Sequence, residues 1–344
     1  MGRPPFLDDL ASRRSIFEAR ADFLHLIRDF FRSRGFLEVD PPLLVAAAGM
    51  EPHLDPFEAR GLETGSRWML PTSPEFYLKK LVASGVHKCF SLAPSFRDEP
   101  PSHGHAPEFL MLEWYRANEG LGALIEDCDA LLATAGRLFV HGVWPEGGES
   151  SCNLAGGIQV MSLSEVFERI IGRDWLSLET VDDWRRAAQS MGASGAERWT
   201  ENDCFSFLMI SAIEPALAPR PGPVVLQGYP AFQAALARLD PGDPRVSRRF
   251  ELYAAGVELA NAYEELTDGA EQRGRFERYQ TERASQGKVP HAEDPAFMEA
   301  VGHLPPCSGI ALGADRLLAL LLGEPVARVR HGVTSEQSKV KRAG

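Results

Sequence analysis

Residues 90–115 read FSLAPSFRDEPPSHGHAPEFLMLEWY, in which two runs typical of β-strands flank a loop rich in proline, glycine and histidine. This arrangement predicts a hairpin whose connection is far longer than pairing needs, and such loops usually have a function. Alternate side chains of a strand share a face, which in the second strand holds Phe109, Met111, Glu113 and Tyr115. A ring, a carboxylate and a phenol together predict the wall of a pocket for a ligand with a flat part and a cation.

Charged residues stand where the first strand meets the loop. Arg97 and Glu99 flank this point, where an arginine can bind a phosphate. The alternative is an edge hairpin that carries a surface ion pair. His103 and His105 raise the question of a metal site, but two histidines without a third ligand nearby are more typical of polar contacts within a loop.

A second informative stretch, SGIALGADRLLALLLGE, spans residues 308–324. It predicts a glycine-containing strand that runs into a leucine-rich helix, which Gly323 and Pro325 end. Arg316 falls in the first helical turn, where the helix dipole disfavours a cation. A nearby anion is therefore expected, either a nucleotide phosphate or a neighbouring carboxylate.

The third stretch, ELANAYEEL at residues 258–266, contains four carboxylates or amides among small and apolar residues. As a strand it would place Asn261, Tyr263 and Glu265 on one face. A helix is also compatible with the spacing, because 258, 261 and 265 are related as i, i+3 and i+7. Spacing alone leaves both interpretations open.

Composition excludes several classes of protein. The chain has 344 residues, of which 44% are hydrophobic, and a net charge of −12, which disfavours broad binding to a nucleic-acid backbone. No apolar run is long enough to predict a membrane-spanning helix. The five cysteines are scattered and form no CxxC pair, so a disulfide framework or a thiolate zinc site is not expected, and a reducing, cytoplasmic setting is favoured.

The order of the patterns predicts one domain over residues 1–344 with an insertion. Residues 12–34 predict an amphipathic helix with Ser12 or Ser15 as N-cap, which ends at Gly35. Chemistry-bearing patterns occupy the segments before 121 and after 220. Residues 121–220 between them are mostly helical in pattern and carry no evident chemistry, so we expect a mostly helical insertion there.

Three segments together resemble the signature motifs of class II aminoacyl-tRNA synthetases. GFLEVDPPLL (35–44), with Pro42, resembles motif 1, FRDE…HAPEFLMLEWY (96–115) resembles motif 2, and GIALGADRL (309–317) resembles motif 3. TSPEFYLKKL, MLEWY and ELANAYEELTD are similar to the lysine-recognising subgroup. The resemblance implies an α+β catalytic core with a mainly antiparallel active-site sheet flanked by helices, the strand interpretation of 258–266, and a homodimer formed through motif 1.

The resemblance also implies roles for individual residues, with ATP and Mg²⁺ as cofactors. The catalytic residues would be Arg97 and Arg316. ATP would be bound by Arg97, Asp98, Glu99, His105, Phe109, Glu258, Leu259, Gly313 and Arg316. A lysine-like substrate would be bound by Ser73, Pro74, Glu75, Glu113, Tyr115, Asn261, Glu265 and Ala311. Magnesium would be held by Glu251 and Glu258. Because Glu258 has the wrong parity for the pocket face of a regular strand, a twist or a bulge would be needed.

Two features narrow the resemblance further. Only about 35 residues precede motif 1, so the anticodon-binding domain of a lysyl-tRNA synthetase is not expected, and tRNA is not the expected acceptor. Ala311 stands where the tRNA enzymes have glycine. In both features the chain resembles the synthetase paralogues that attach (R)-β-lysine to a lysine of elongation factor P. The resemblance implies elongation factor P as the partner.

The chain departs from the family pattern at the end of the motif 2 loop. Ala106 replaces an asparagine that would contact ATP, and His103 replaces an arginine, so that a fixed charge becomes a titratable one. Two rival hypotheses therefore stay open. One is the same chemistry with tRNA or another acceptor amine, and the other is a catalytically silent paralogue that senses a lysine-like metabolite.

Overall fold

A computed structural model of the chain describes residues 4–100, 105–139 and 152–330. Its strands are β1 (Leu37–Glu38), β2 (Glu58–Arg60), β3 (Arg67–Met69), β4 (Lys88–Phe96), β5 (Glu108–Ala117), β6 (Gln159–Ser162), β7 (Val224–Pro230), β8 (Val246–Ala254), β9 (Val257–Glu264) and β10 (Cys307–Gly313). Its helices are α1 (Pro5–Ser12), α2 (Arg14–Ser33), α3 (Glu75–Ala83), α4 (Leu121–Leu138), α5 (Leu163–Ile171), α6 (Val181–Ser190), α7 (Glu201–Leu208), α8 (Glu214–Leu217), α9 (Gly269–Ser285), α10 (Pro295–Val301), α11 (Ala314–Leu322) and α12 (Val326–Val329).

Eight of the strands form one sheet in the order β1-β4-β5-β10-β9-β8-β7-β6, and β2 and β3 pair separately. The six central strands are antiparallel to their neighbours, whereas the edge strands β1 and β6 pair in parallel with β4 and β7. The predicted hairpin of motif 2 is the β4–β5 pair. The expected α+β architecture with a mainly antiparallel sheet is confirmed.

Helices cover the two faces of the sheet differently. On one face α2, α4 and α11 bury a continuous apolar layer that includes Phe31, Trp114 and Leu318. Burying side chains of this size stabilises the fold by about 1.5–3 kcal/mol each. On the other face α3 and α10 cover one end, packing Leu78 and Phe297 near the strand residue Cys89, and α5–α7 cover the end at β7. The uncovered remainder of this face forms the floor of a cleft.

The hairpin of β8 and β9 contains a register shift. Leu252 pairs with Ala260, but Tyr253 pairs with Glu258, so that Leu259 is the extra residue of a β-bulge. Cross-strand partners share a face, and the bulge therefore brings Glu258 to the same face as Asn261 despite their odd separation. Residues 258–264 are strand, and the helical alternative for this stretch is wrong.

Residues 121–220 divide between two parts of the fold. The helix α4 packs into the apolar layer beneath the central sheet. The helices α5, α6 and α7 form a second cluster against β7 and β8, with Trp184 and Phe205 at its centre. Residues 140–151 lie outside the described part of the chain. One domain with a helical insertion stays a prediction.

The predicted N-terminal helix needs a correction at its start. It begins at Arg14, and Ser12 is the last residue of α1, so the prediction that Ser12 or Ser15 caps α2 is wrong. The side chain of Arg13, 1% exposed at the junction, donates instead to Asp9 and to the carbonyl of Arg330. Among the described helices, none combines the length and the apolar character that a membrane span requires.

Candidate active site

A cleft of about 920 Å³ lies on the exposed face of the sheet, between β5, β9 and β10 below and α3, α9 and the start of α7 around it. Most residues for which the resemblance implies a role line this cleft. They are Ser73, Glu75, Arg97, Glu99, His105, Phe109, Glu113, Tyr115, Glu258, Leu259, Asn261, Glu265, Ala311, Gly313 and Arg316. Segments more than 150 residues apart in the chain thus meet in one site.

Three residues with implied roles do not line the cleft. Pro74 is buried at the start of α3, where its ring fixes the backbone that leads into the helix. Asp98 is exposed, and its N–H donates to the carbonyl of Asp55 at 2.8 Å. Glu251 is buried next to the cleft, paired with Asn261 across β8 and β9, and its hydrogen bonds are described below.

The floor of the cleft is ordered by the strand register. Ala311 in β10 pairs with Glu113 on one side and Asn261 on the other. In the next row, Gly309 pairs with Tyr115 and Tyr263. Paired residues face the same way. These rows therefore form a continuous surface of carboxylate, amide and phenol groups on either side of β10, whose own residues here have small side chains.

Gly309 is required by the side chains around it. A Cβ placed on this residue would overlap the ring of Tyr115 and the Oε1 atom of Glu265. The carboxylate of Glu265 therefore rests directly against the β10 backbone. The absence of a side chain at this position is what leaves room for a carboxylate at the end of the cleft.

Three buried glutamates and a buried lysine make up this end of the cleft. Glu113 and Glu265 are 1% and 2% exposed, and Glu75 is also buried. The Nζ atom of Lys79 lies 2.7 Å from Oε1 of Glu75 and 2.6 Å from Oε2 of Glu265. Oε1 of Glu265 has no hydrogen-bond partner among the described residues. The site thus holds more carboxyl groups than cations, and Oε1 of Glu265 is available as an acceptor.

Burial and mutual repulsion shift the acidity of these groups. Burial and the neighbouring Glu75 raise the pKa of Glu113 well above its ordinary value. Burial raises the pKa of Glu265 to about 7, although Lys79 opposes the shift. Burial alone would lower the pKa of Lys79, but the charges of Glu265 and Glu75 outweigh it and raise that pKa. Lys79 is thus charged. An added ammonium would offset the repulsion among the carboxylates and favour their ionised forms.

The opposite end of the cleft is more open. The guanidinium of Arg97 stacks over the ring of Phe109, 5.1 Å from its centre. Arg316 donates from Nη1 to the carbonyl of Glu258 at 2.9 Å and lies 3.8 Å from that residue's Oε2. Of the two sequence alternatives for Arg316, the carboxylate neighbour is observed. The nucleotide phosphate stays a prediction, with Arg316 lining the cleft.

His105 joins this end through two contacts. Its Nε2 atom lies 3.2 Å from Nη2 of Arg316, and its Nδ1 atom lies 3.4 Å from Oε2 of Glu99. An arginine can only donate, so Nε2 must accept and Nδ1 carries the proton. Burial and the charge of Arg316 lower the pKa of His105 in agreement with this neutral form. These contacts support the polar role of His105, while His103 lies outside the described residues.

The residue before Arg316 fixes the position of its helix. Asp315 is buried and accepts hydrogen bonds from Arg20, from Arg330 and from the N–H of Leu110 in β5. Motif 3 is thereby joined to motif 2 and to α2 by one carboxylate. The direction of Arg316 follows from this anchored first turn of α11.

Glu251 is held by three hydrogen bonds. The phenols of Tyr229 and Tyr253 donate to its Oε2, and Arg249 donates to its Oε1. Arg249 also donates to Oδ1 of Asn261 at 2.9 Å, which connects Glu251 with the floor of the cleft. In this structure Glu251 thus serves as an anchor for its neighbours.

The two carboxylates implied as magnesium ligands differ in their fitness for that role. Glu258 lines the cleft with a 39% exposed side chain and offers the hard oxygen atoms that Mg²⁺ prefers. Glu251 already shares both oxygens with donors, one of them a cation, so it fits only in part. Among residues 4–100, 105–139 and 152–330, no three His, Cys, Asp or Glu side chains form a metal cluster. Magnesium here would need phosphate oxygens as further ligands.

Sequence reasoning missed several polar residues of the site. The sequence analysis gave no role to Lys79 or Arg249, and it did not name Tyr263 as a residue that contacts a ligand. For Lys79 a signal existed, because Glu75 and Lys79 are an i, i+4 pair on α3. Such pairs normally lie on the surface, and only the tertiary structure shows that this one is buried.

Comparisons with known proteins agree with this geometry. The family model described as tRNA synthetases class II (D, K and N) matches residues 9–330. Elongation factor P–(R)-β-lysine ligase of Hamiltonella defensa subsp. Acyrthosiphon pisum (strain 5AT) is 37% identical over 308 residues, or 88% of this chain and 89% of that protein. Proteins of the same name from Erwinia tasmaniensis and Vibrio cholerae serotype O1 are each 37% identical, covering 88% and 90% of this chain and 90% and 92% of their own. The chain therefore belongs to the class II tRNA synthetase family, in the group of the elongation factor P–(R)-β-lysine ligases.

Proposed function

We propose that this protein activates (R)-β-lysine, or lysine, with ATP and transfers it to a lysine side chain of elongation factor P. One observation carries the proposal. A buried, anionic end with Glu75, Glu113 and Glu265 opens into the same cleft as two arginines and an aromatic ring. The first end suits an alkyl chain with an ammonium group, and the second suits a nucleotide.

The amino acid is oriented by its charges. Glu265 receives the distal ammonium, because its open Oε1 atom lies at the closed end of the cleft. Tyr115 and Glu113 line the path of the alkyl chain, and Asn261 faces its head group. This arrangement leaves the substrate carboxylate directed toward Arg97, beside the α-phosphate of ATP.

The first step is attack of that carboxylate on the α-phosphorus, which gives an aminoacyl-adenylate and releases pyrophosphate. Arg97 and Arg316 neutralise charge that develops on the phosphoryl oxygens, and Phe109 stacks on the adenine. No protein nucleophile is required, since alignment of the two substrates supplies most of the acceleration. Magnesium, held by Glu258 with a contribution from Glu251, would neutralise phosphate charge when bound.

In the second step an amine displaces AMP from the adenylate. The curated relatives are named for elongation factor P, and we assign the ε-amine of a lysine on that protein as the attacking group. Attack needs the neutral amine, whose proton leaves as the new amide bond forms. The bond between the acyl carbon and the phosphate oxygen breaks, and AMP departs.

We further propose that the protein works as a homodimer in the cytoplasm and is one domain with a helical insertion at about 121–220. Support for the dimer comes from motif 1, where Leu37, Leu43 and Leu44 are 53%, 39% and 52% exposed. Apolar side chains grouped at an edge strand are typical of an interface.

The test of adenylate formation is pyrophosphate exchange. Purified protein with magnesium, ATP and (R)-β-lysine should exchange labelled pyrophosphate into ATP without tRNA, while Arg316→Ala should not. α-Lysine and the remaining isomers complete the panel. Silence of a folded protein with every isomer would favour the lysine-sensing alternative that Ala106 suggests.

The test of the acceptor is intact mass. Elongation factor P incubated with the complete reaction should gain the mass of one lysyl group, and a variant in which arginine replaces its acceptor lysine should gain none. Exchange without transfer to elongation factor P, together with transfer to tRNA or to a small amine, would favour the rival acceptors.

A further inference from the structure

We infer that Lys79 is a positioning residue for substrate recognition, a built-in cation that favours the ionised forms of Glu265 and Glu75 and leaves one oxygen of Glu265 available to the incoming ammonium. This inference rests on the proposed function, because it concerns the same amino-acid site. It assigns to Lys79 a task in the empty site, before the substrate arrives.

The geometry supports a bridging role. Nζ of Lys79 lies within 2.7 Å of both carboxylates, and its side chain is 2% exposed. It forms ion pairs with Oε1 of Glu75 and Oε2 of Glu265. Neither oxygen of Glu265 has a hydrogen-bond partner among the described residues, and Oε1 is the one on the far side of this ion pair. The lysine thus occupies one oxygen of Glu265 and leaves the other for a ligand.

Charge balance explains why a cation is needed at this position. Two carboxylates that share a buried site cannot both stay ionised unless a positive charge lies between them. Without Lys79, they would share a proton, and the protonated partner could no longer attract an ammonium. Further ionisable groups from β4, β5, β10 and the segment after motif 1 surround the pair. They are Glu51, Cys89, Glu113, Tyr115 and Cys307.

A purely structural role for Lys79 is the competing explanation. Burying a lysine destabilises the fold unless it is paired, and a well-packed apolar residue would often stabilise the fold as well or better. Leu78 and Val82 already pack the apolar side of the same helix. The place of Lys79 between two carboxylates that line the cleft therefore favours a role in binding.

The experiment measures kcat/KM for (R)-β-lysine in pyrophosphate exchange between pH 5.5 and 9. For the wild type, activity should rise with pH through about 7, because Glu265 must lose its proton before it can hold the ammonium. In Lys79→Met the midpoint should move up by about one pH unit or more. At pH 7 the KM for the amino acid should rise roughly fivefold or more, and the KM for ATP should stay within about twofold.

Two further variants separate charge from packing. Lys80→Met removes the neighbouring lysine, whose ion pair with Asp294 lies outside the cleft, and it should leave the midpoint unchanged. The charge-balanced double variant Lys79→Met with Glu75→Gln removes one cation and one carboxylate. Its midpoint should return toward the wild-type value, which loss of packing alone would not produce.

An unshifted midpoint in Lys79→Met, or a shift that the double variant fails to reverse, would overturn the inference. If Lys79→Met does not fold, Glu75→Gln is compared with the double variant. The double variant should then have the higher midpoint by about one pH unit, and equal midpoints would contradict the role.

If the wild type shows no exchange, calorimetric measurement of lysine binding across the same pH range replaces the exchange assay. Wild-type binding without exchange refutes only the proposed function, and no binding refutes both.

Discussion

The two ends of the cleft are built by different physical means. At the amino-acid end, Glu113, Glu265 and Lys79 are at most 2% exposed, and their positions are fixed by ion pairs and strand register. At the nucleotide end, the side chains of Glu258 and His105 are 39% and 49% exposed. The first end is already dehydrated and charged before a ligand binds, whereas the second still exchanges contacts with water.

This difference predicts how mutations at each end should act. Removing a charge from a dehydrated site leaves its partners unpaired, which costs several kcal/mol and affects one ligand selectively. Removing or adding a group at a hydrated site costs much less, because water replaces the lost contact. Variants at each end of the cleft test this contrast.

Glu265→Gln should produce the largest effect on amino-acid binding. The amide keeps the shape of the side chain but loses the charge that balances an ammonium, at a cost of about 3–5 kcal/mol. We expect KM for (R)-β-lysine to rise roughly a hundredfold or more, with KM for ATP nearly unchanged. Steady-state exchange kinetics with each substrate varied in turn would measure both values.

Glu264→Gln is the matched control for this change. Glu264 is the neighbouring residue of β9, and it pairs with Arg238 and Arg248 on the other side of the sheet. Its substitution should leave both KM values close to those of the wild type. Equal losses for the amino acid and ATP in Glu265→Gln would show that this residue does not belong to the amino-acid end.

Ala311→Gly should change the choice between lysine isomers. Ala311 lies between Glu113 and Asn261 on the cleft floor. Our hypothesis is that its methyl group occupies space that an α-amino group would need. One methyl group in a tight pocket discriminates by about 1–3 kcal/mol, or roughly ten- to two-hundredfold. The ratio of kcat/KM for α-lysine to that for β-lysine should rise by a factor in this range.

Ala262→Gly offers the same chemical change on the opposite, core-facing side of β9. It should lower thermal stability, since glycine in a strand costs about 0.5–1 kcal/mol, and it should leave the isomer ratio unchanged. If Ala311→Gly alters stability but not the ratio, the methyl group does not select the isomer.

Ala106→Asn tests the nucleotide end and should have the smallest effect. It restores an amide at the position where the family pattern has one, so that one additional hydrogen bond to ATP becomes possible. A single such bond in a hydrated site contributes about 0.5–1.5 kcal/mol. We expect KM for ATP to fall roughly two- to tenfold, with KM for the amino acid unchanged, as measured by exchange at saturating lysine.

Local sequence patterns, together with the family resemblance that favoured a strand at 258–266, were sufficient for much of this site. Strand alternation placed Glu113 and Tyr115 on one face, and the same rule placed Asn261 with Glu265. The parity of Glu258 required either a twist or a bulge, and the structure shows a bulge at Leu259. These inferences succeed because the period of a strand is short and strict.

Other features depend on contacts between distant segments and leave little trace in the local pattern. The spatial order β5-β10-β9 joins strands that are far apart in the chain. The anchoring of Glu251 by Tyr229 could not be read from either residue alone, since 22 positions separate them. With Glu75, Lys79 forms an i, i+4 pair of the kind usually found on a helix surface. Only the tertiary structure, which places Glu265 against it, shows that Lys79 is buried. Charge in a buried site is therefore the part of the function that sequence periodicity conveys least.

The bulge at Leu259 has a consequence for the way the two substrates could be observed separately. A bulge leaves one backbone amide outside the regular ladder, so that this point of a hairpin opens to solvent more readily than its neighbours. Arg316 donates a hydrogen bond to the carbonyl of Glu258, the residue before Leu259. The amides of Ala260 and Ala262 belong instead to the regularly paired stretch beside β10. The rate of deuterium uptake at residues 258–259 would therefore report nucleotide binding. The stretch that carries Asn261 would exchange slowly whether or not the nucleotide is bound.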